Sequence, residues 1–302
     1  MMQYSRSEHK LRYSFDAIGT KWQIDVYQEL SRSEEDLLFS SIKKRIDIFD
    51  KNYSRFRSDS LVTLMSQKEG EYDMPEDSKE LFEIYYDIYL KTNGLVTPLI
   101  GNLISDAGYD AQYTLQQKKE LVMPPTWEES IEFKFPKLKI KKPVLLDFGA
   151  AGKGYLVDIV SKLIEDKGYN KYCVDAGGDI YYKNEKELRV GLENPNDFNQ
   201  VIGVCNLQSG QSICGSAGNR RAWQNFTHII NPRTLSSPAN ISAVWVVANR
   251  TIIADALATC LFFVEPNKFF DKYKFDYVIV YSDGSFARSD SFNGEVFVNT
   301  VL

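Results

Sequence analysis

Apolar and polar residues recur with two different periods in the first part of the chain, one typical of strands and one of helices. Residues 11–27 alternate on either side of Ile18-Gly19-Thr20, which predicts two strands joined by a tight glycine turn. In residues 33–49 the apolar positions recur three and four residues apart, which predicts an amphipathic helix that packs on the core. Ser33 lies just ahead of this pattern and is the predicted cap of the helix.

Two more predicted helices and a proline-rich stretch follow. Residues 60–66 and 78–92 predict helices, and Asn93-Gly94 ends the second one in the left-handed conformation that these residues adopt. Residues 118–143 carry four prolines among many charges, so we expect loop and edge strands there. This region is also the candidate for a boundary inside the chain.

The second half mixes strands and helices without a regular βαβ repeat. An apolar run at 144–148 predicts a strand that leads through a glycine turn into a helix at about 155–167. The remaining predicted elements are strands from 172 through 213, a loop at 215–240, a strand at 243–248, a helix at 253–264 and a strand pair at 277–288. This mixture predicts an α+β fold rather than a doubly wound sheet.

Composition narrows the class of protein. The 302 residues are 43% hydrophobic and 13% aromatic, which is enough to bury a large core. The net charge is −5 and no long basic run occurs, so nucleic acid is not an expected partner. The four cysteines lack C-x-x-C spacing and are predicted to be buried thiols. With a polar N-terminus and no long apolar stretch, we expect a cytoplasmic protein without a membrane span or lipid anchor.

Two segments combine residue types that suit a phosphate and a metal ion. In the segment from Asp147 to Asp158, glycines at a predicted strand-to-helix turn could turn backbone N–H groups toward an anion, and Lys153 would add a positive charge. A plain tight turn explains the same spacing. Asp255 and Thr259 are four residues apart on one face of a predicted helix, and oxygen ligands of this kind suit Mg²⁺. A helix cap and a back-bonded hydroxyl would account for them equally well.

The only histidine outside the N-terminal tail lies in a polar loop. His228 is followed closely by Pro232 and Arg233, and it can serve as a base or as a structural residue. A second loop, Cys214-Gly-Ser-Ala-Gly-Asn-Arg-Arg221, offers a hydroxyl and two guanidinium groups that suit a pyrophosphate. A flexible surface loop is the alternative for that segment.

Four segments, taken in order, resemble the signature motifs of the ApbE flavin transferase family. They are Asp147-Phe-Gly-Ala-Ala-Gly-Lys-Gly-Tyr-Leu-Val-Asp158, Val174-Asp-Ala-Gly-Gly-Asp179, His228-Ile-Ile-Asn-Pro-Arg-Thr234 and Ala254-Asp-Ala-Leu-Ala-Thr259. Weaker matches precede them at Ile18-Gly19-Thr20, Ser54-Arg-Phe-Arg-Ser-Asp-Ser60 and Gly94-Leu-Val-Thr-Pro-Leu-Ile-Gly101. The resemblance implies one globular unit over residues 1–302, with mixed and antiparallel sheets flanked by helices and a polar tail over about residues 1–10.

The resemblance also implies which residues carry function. Asp255 and Thr259 match the side chains that hold Mg²⁺, and Gly152 matches a residue whose backbone carbonyl completes the metal site. His228, Asp255 and Lys153 are the implied catalytic residues. The residues implied to contact FAD are Ile18, Leu95, Val96, Thr97, Asp147, Lys153, Asp158, Ser216, Arg221 and His228.

The implied reaction is Mg²⁺-dependent cleavage of the FAD pyrophosphate, with release of AMP and attachment of FMN to a Thr or Ser of an acceptor flavoprotein through a phosphoester. Two alternatives remain open at the level of sequence. One is an FAD pyrophosphatase that releases FMN and AMP, and the other is a flavin-binding protein without turnover. Where the family usually has Gly-Gly-Ile-Ala-Lys-Gly, this chain has Gly-Ala-Ala-Gly-Lys-Gly, which suggests a divergent subgroup.

Overall fold

The computed structural model describes residues 3–7, 10–118 and 120–297. Its helices are α1 (Arg32–Tyr53), α2 (Leu61–Met65), α3 (Ser78–Lys91), α4 (Gly101–Asp106), α5 (Trp127–Ser130), α6 (Gly152–Asp166) and α7 (Thr251–Cys260). Short 3₁₀ turns occupy Pro98–Ile100, Gly218–Arg221 and Pro266–Lys268.

The strands outnumber the helices but are mostly short. They are β1 (Gln3–Ser7), β2 (Lys10–Ala17), β3 (Thr20–Val26), β4 (Gly70–Asp73), β5 (Ile131–Lys134), β6 (Lys137–Ile140), β7 (Tyr172–Ala176), β8 (Ile180–Lys183), β9 (Leu188–Asn194), β10 (Asp197–Leu207), β11 (Gln211–Ala217), β12 (Ala222–Trp223), β13 (Phe226–Thr227), β14 (Ile241–Ala248), β15 (Phe275–Tyr281), β16 (Phe286–Arg288) and β17 (Gly294–Val296).

A nine-stranded sheet forms the centre of the molecule. Its order is β1-β2-β3-β7-β8-β11-β14-β15-β16, and every neighbouring pair is antiparallel. Three smaller antiparallel sheets have the orders β17-β10-β9, β12-β13 and β4-β6-β5. Helices and antiparallel sheets in one unit confirm the predicted α+β class.

The central sheet is covered on both faces because successive residues of a strand point to opposite sides. On β7, Val174 belongs to the large core that includes side chains of α1, α3, α6 and α7. Its neighbour Cys173 belongs to a second core, shared with Leu192 of β9 and Cys205 of β10. Helices therefore pack on one face of the sheet and a three-stranded sheet packs on the other.

Most predicted elements are present. One difference is the predicted loop at 215–240, which carries the end of β11 and the short strands β12 and β13. Helix α1 begins at Arg32 and its cap is Ser31, which forms a capping box with Glu34, so the prediction of Ser33 as cap was wrong. In the apolar run at 144–148, Val144, Leu146 and Phe148 are buried, but the run is not one of the strands that the structure describes, so the predicted strand was wrong. The polar tail forms strand β1 over Gln3–Ser7, while residues 1–2 and 8–9, including His9, lie outside the described residues.

The proline-rich stretch at 118–143 contains more structure than its composition suggested. It holds the short helix α5 and the edge strands β5 and β6, which pair with β4 from earlier in the chain. Trp127, Ile131 and Leu138 from this stretch belong to the same core as the central sheet.

The structure also bears on the cysteines and on membrane-spanning helices. All four cysteines are buried thiols outside any disulfide, as predicted. No helix in the described ranges is both long enough and apolar enough to cross a membrane.

Candidate functional site

Most of the sequence-predicted site residues line one cavity of about 360 Å³ beside α6 and α7. Those that line it are Leu95, Val96, Thr97, Asp147, Lys153, Ser216, Arg221, His228, Asp255 and Thr259. They come from five separate stretches of the chain. Its volume falls in the usual range for a small-molecule site.

Three predicted residues do not line the cavity. Ile18 occupies the turn before β3, and its neighbour Thr20 reaches the cavity instead. Gly152 lies in the first turn of α6, where its N–H donates to the Phe148 carbonyl at 2.7 Å. Asp158 lies one turn after Gly154 on α6 and is not part of the cavity lining.

Asp158 was predicted to contact the flavin, but in the structure it caps a helix. Its carboxylate accepts the backbone N–H groups of Thr251 and Ile252 at 2.8 and 3.2 Å, and it pairs with Arg250 at 3.0 Å. These are the first N–H groups of α7, which have no partner within the helix. Asp158 therefore caps the helix that carries Asp255 and Thr259.

The glycine-rich turn before α6 is not an open cradle of N–H groups. The Gly149 N–H donates to Asp147 at 2.7 Å, and those of Ala150 and Ala151 donate to the Tyr85 hydroxyl at 3.1 and 3.2 Å. The Gly154 N–H donates to Asp255 at 2.7 Å. The expectation that this backbone faces a phosphate was therefore wrong, because protein acceptors already use these donors. Anion recognition falls to side chains.

Helices α6 and α7 touch at Gly154 without room for a side chain. A Cβ atom there would lie 2.4 Å from the Thr251 carbonyl oxygen and 2.6 Å from Cβ of Asp255. The close approach lets the Gly154 N–H reach the Asp255 carboxylate, which is 5% exposed. Glycine at this position thus fixes the acid in place.

Lys153 is a positive group close to two buried acids, Asp179 and Asp255. It forms an ion pair with Asp179, which is 1% exposed. Burial lowers the pKa of Lys153, but the carboxylates of Asp179 and Asp255 outweigh it, so the pKa lies above its usual value. Lys153 therefore carries its charge into the cavity at neutral pH.

Asp255 has an environment that penalises its negative charge. Burial, and then the nearby charge of Asp179, raise the pKa of Asp255 well above its ordinary value, while Lys153 and the Gly154 N–H act against this shift. A carboxylate held in such a place is stabilised in its ionised form when a cation binds beside it.

The environment of His228 disfavours a positive charge on its imidazole ring. Burial, followed by the charges of Arg221 and Lys153, lowers the pKa of His228 to about 4. Its Nδ1 atom is buried and has no hydrogen-bond partner within the described part of the chain. The imidazole is therefore neutral near pH 7 and can accept a proton or a hydrogen bond.

Arg55 is a cavity residue that the sequence did not single out, although it lies within a quoted motif. Its guanidinium forms an ion pair with Asp147 and donates to the Tyr109 carbonyl at 2.6 Å. It also lies 4.2 Å from the centre of the Phe56 ring. Nothing in the local sequence distinguishes Arg55 from a surface arginine, because its partners are 54 and 92 residues away.

An aromatic and aliphatic wall forms another side of the cavity and was also not predicted. It consists of Phe56, Ile100, Ile104 and Tyr109. Tyr109 stacks on Trp223 with ring centres 5.6 Å apart, which supports the wall from behind. The cavity thus joins an apolar surface, suited to a planar ring system, with a charged surface.

The donor set of the cavity fits a hard cation. Asp255 and Thr259 provide carboxylate and hydroxyl oxygens beside each other on α7, and both line the cavity. No group of three or more His, Cys, Asp or Glu residues with metal-site geometry occurs in the part of the chain that the structure describes. A metal here would need further oxygen ligands from backbone or substrate, as Mg²⁺ takes in phosphate-handling sites.

Fold and cavity together define an α+β protein whose cavity joins an aromatic and aliphatic wall to charged side chains. Comparison with known proteins makes the assignment specific. The ApbE family model matches residues 18–276, and the chain belongs to that family.

Curated relatives are distant but match over most of their length. A protein from Klebsiella pneumoniae named FAD:protein FMN transferase is 22% identical over 278 residues, covering 83% of this chain and 77% of the relative. The protein of the same name from Escherichia coli K12 is 24% identical over 280 residues, with the same shares of coverage.

Solved structures share the fold. The ApbE protein from Thermotoga maritima superposes with a TM-score of 0.79 at 22% identity, covering 97% of this chain and 100% of that one. The flavin transferase ApbE from Vibrio cholerae gives a TM-score of 0.76 at 18% identity, covering 95% and 97%. At these identities the likeness establishes the architecture of the protein.

Proposed function

We propose that this protein is a Mg²⁺-dependent FAD:protein FMN transferase. The observation that carries the proposal is the convergence of Lys153, Asp255 and Thr259 with an aromatic wall in a single cavity. FAD has this same division, since its ring systems are planar and its pyrophosphate is anionic. Membership of the ApbE family and the names of the curated relatives support the choice of FAD.

Binding of FAD would divide between the two surfaces of the cavity. Phe56 and Tyr109 would contact a planar ring through their aromatic faces. Lys153 and Arg221 would offset the charge of the pyrophosphate, since the backbone N–H groups of the glycine-rich turn are already used.

Asp255 and Thr259, with the backbone carbonyl of Gly152, are the proposed ligands of Mg²⁺, which when bound would offset negative charge on the pyrophosphate. The Asp255 carboxylate is held ready for this by the Gly154 N–H.

In the proposed reaction the hydroxyl oxygen of an acceptor Thr or Ser attacks the phosphorus of the FMN half. The bond from that phosphorus to the bridging oxygen breaks, and AMP leaves with the bonding electrons. Neutral His228 is the proposed acceptor of the hydroxyl proton, and Lys153 stabilises charge on the phosphates as the bond breaks.

The reaction can be tested directly with purified protein. It would be incubated with FAD and Mg²⁺, with and without a flavoprotein acceptor domain, while AMP release and fluorescent flavin on a denaturing gel are measured. AMP together with covalently bound flavin supports the transferase. AMP with only free FMN would instead support a pyrophosphatase, and no AMP at all would leave a flavin-binding protein.

Substitution of Asp255 tests the metal assignment. We expect Asp255→Ala to reduce Mg²⁺-dependent FAD cleavage by about 100-fold or more while the fold is kept, because a group that offsets charge in the transition state is lost. Asp255→Asn is the matched variant, since it removes the charge but keeps an acceptor for the Gly154 N–H. Wild-type turnover in either folded variant would contradict the assignment.

A further inference from the structure

Asp179 is a buried acid beside the cavity, and it has no role in the proposed reaction. It is 1% exposed, and its Oδ1 atom has no hydrogen-bond partner among the residues that the structure describes. Its ion-pair partner is Lys153. An acid so deeply buried is stable only when a nearby positive charge compensates it. Asp179 and Lys153 therefore depend on each other.

The turn that carries Asp179 is fixed by its backbone. Gly177 and Gly178 have φ angles of +69° and +101°, in the left-handed region that favours glycine. A Cβ atom on Gly177 would lie 1.9 Å from the Thr20 hydroxyl oxygen. The Gly178 N–H donates to Asp175 at 2.8 Å, and the Asp179 carbonyl accepts the Ala176 N–H at 2.9 Å. The carboxylate of Asp179 thus has a defined position.

Lys153 has two acids within its electrostatic reach, Asp179 and Asp255. The ion pair forms with Asp179, while the carboxylate of Asp255 accepts the Gly154 N–H and lines the cavity. When all three groups are ionised, the two acids and one ammonium group leave one net negative charge. That charge lies on the cavity side, at the residue proposed to bind the cation.

We propose that Asp179 is a positioning residue that holds Lys153 away from Asp255 and so leaves the Asp255 carboxylate free to bind a divalent cation. The inference rests on the proposed function, because it assumes that Asp255 is a metal ligand. Without Asp179, the ammonium group would pair with Asp255 and compete with the cation for the same oxygens.

The test measures cation binding rather than turnover. Mn²⁺ alone would be titrated into the purified full-length protein, without FAD, by isothermal titration calorimetry. We expect Asp179→Asn to weaken Mn²⁺ binding by about 10- to 100-fold, as is typical when a residue that orients a metal site is lost. We expect the double variant Asp179→Asn/Lys153→Met to recover most of that loss, because the competing ammonium group is gone.

Asp175→Asn is the matched control. It removes the same charge from the same turn, but the hydrogen bond of Asp175 goes to Gly178 and not to Lys153. We expect its Mn²⁺ affinity to stay within about threefold of wild type, since it lacks the direct ion pair. Circular dichroism would confirm that every variant is folded.

Three other results of the Mn²⁺ titrations would count against the inference. Unchanged Mn²⁺ binding in Asp179→Asn would overturn the inference and leave the proposed function intact. A loss that the double variant does not recover would also overturn it, because Asp179 would then act by itself. Absence of Mn²⁺ binding in the wild-type protein would overturn the inference, which requires a cation site that forms without FAD, whereas FAD cleavage by the Asp255 variants tests the metal assignment separately.

Discussion

At the scale of single residues, His228 shows how burial and charge change the chemistry of a side chain. Burial, together with Arg221 and Lys153, lowers the pKa of His228 to about 4, from its ordinary value of about 6.5. We expect its imidazole NMR signals to shift only as the pH approaches about 4. A titration midpoint near 6.5 would contradict this account. The variant His228→Gln assigns the signals, because His9 is the only other histidine.

The same shift affects stability in a defined direction. Between pH 6.5 and about 4 the unfolded chain binds a proton at residue 228 that the folded protein does not. The contribution of His228 to the free energy of unfolding is therefore complete above pH 6.5 and falls as the pH decreases toward 4. Urea denaturation at several pH values would show this slope in the wild type and a smaller slope in His228→Gln. Equal slopes would contradict the prediction.

At the scale of elements, the contact between α6 and α7 holds the site together. Gly154 leaves no space for a Cβ atom, whose nearest neighbours would be the Thr251 carbonyl and Asp255. We expect Gly154→Ala to lower the free energy of unfolding by about 1–3 kcal/mol, because the helices must separate. Urea denaturation measures this loss, and Mn²⁺ titration should show weaker binding because Asp255 moves with α7.

Gly152→Ala is the matched control for that substitution. A Cβ atom on Gly152 would lie 3.3 Å from Cβ of Phe148 and 4.0 Å from Cζ of Phe49, and the backbone carbonyl would be kept. We therefore expect a change in unfolding free energy of less than about 1 kcal/mol, typical of a minor steric adjustment. If both alanine variants behaved alike, the helix contact would not be the cause of the loss.

At the scale of the whole molecule, the shared core argues that the chain unfolds as one unit. Trp127, Ile131 and Leu138 of the proline-rich stretch lie in the same core as the central sheet and helices. We expect one transition in urea, with coincident curves from tryptophan fluorescence and far-ultraviolet circular dichroism. A separate early transition that disappears in Trp127→Phe would instead identify residues 118–143 as an independent part.

Local pattern was sufficient for much of the fold. The period of apolar positions predicted α1, α3 and the strand pair around Gly19, and the glycine after Asn93 ends α3 as expected. It failed at 144–148, because an apolar run records burial but not whether a partner strand is present. It also misplaced the cap of α1 by two residues, since Ser31 and Ser33 both suit a helix start and only Ser31 forms the capping box.

Only part of the candidate site could be predicted from the sequence. Ordered motifs pointed to Lys153, Asp255, Thr259 and His228, and the structure brings these four residues to one cavity. Three contacts could not be predicted from the sequence. They are the capping of α7 by Asp158, the ion pair of Arg55 with Asp147 and the contact of Tyr85 with the glycine-rich turn. Their partners are 65 to 93 residues apart in the chain.

The amino-acid sequence by itself determined the elements, the α+β class and the residues whose motifs resemble those of one family. These depend on short-range periodicity, capping and spacing, which are written locally in the chain. Only the tertiary structure decided that the backbone of the glycine-rich turn is already hydrogen-bonded, that Asp179 pairs with Lys153, and that aromatic rings form one wall of the cavity. Packing between distant segments sets those contacts, because burial and close approach exist only after the chain has folded.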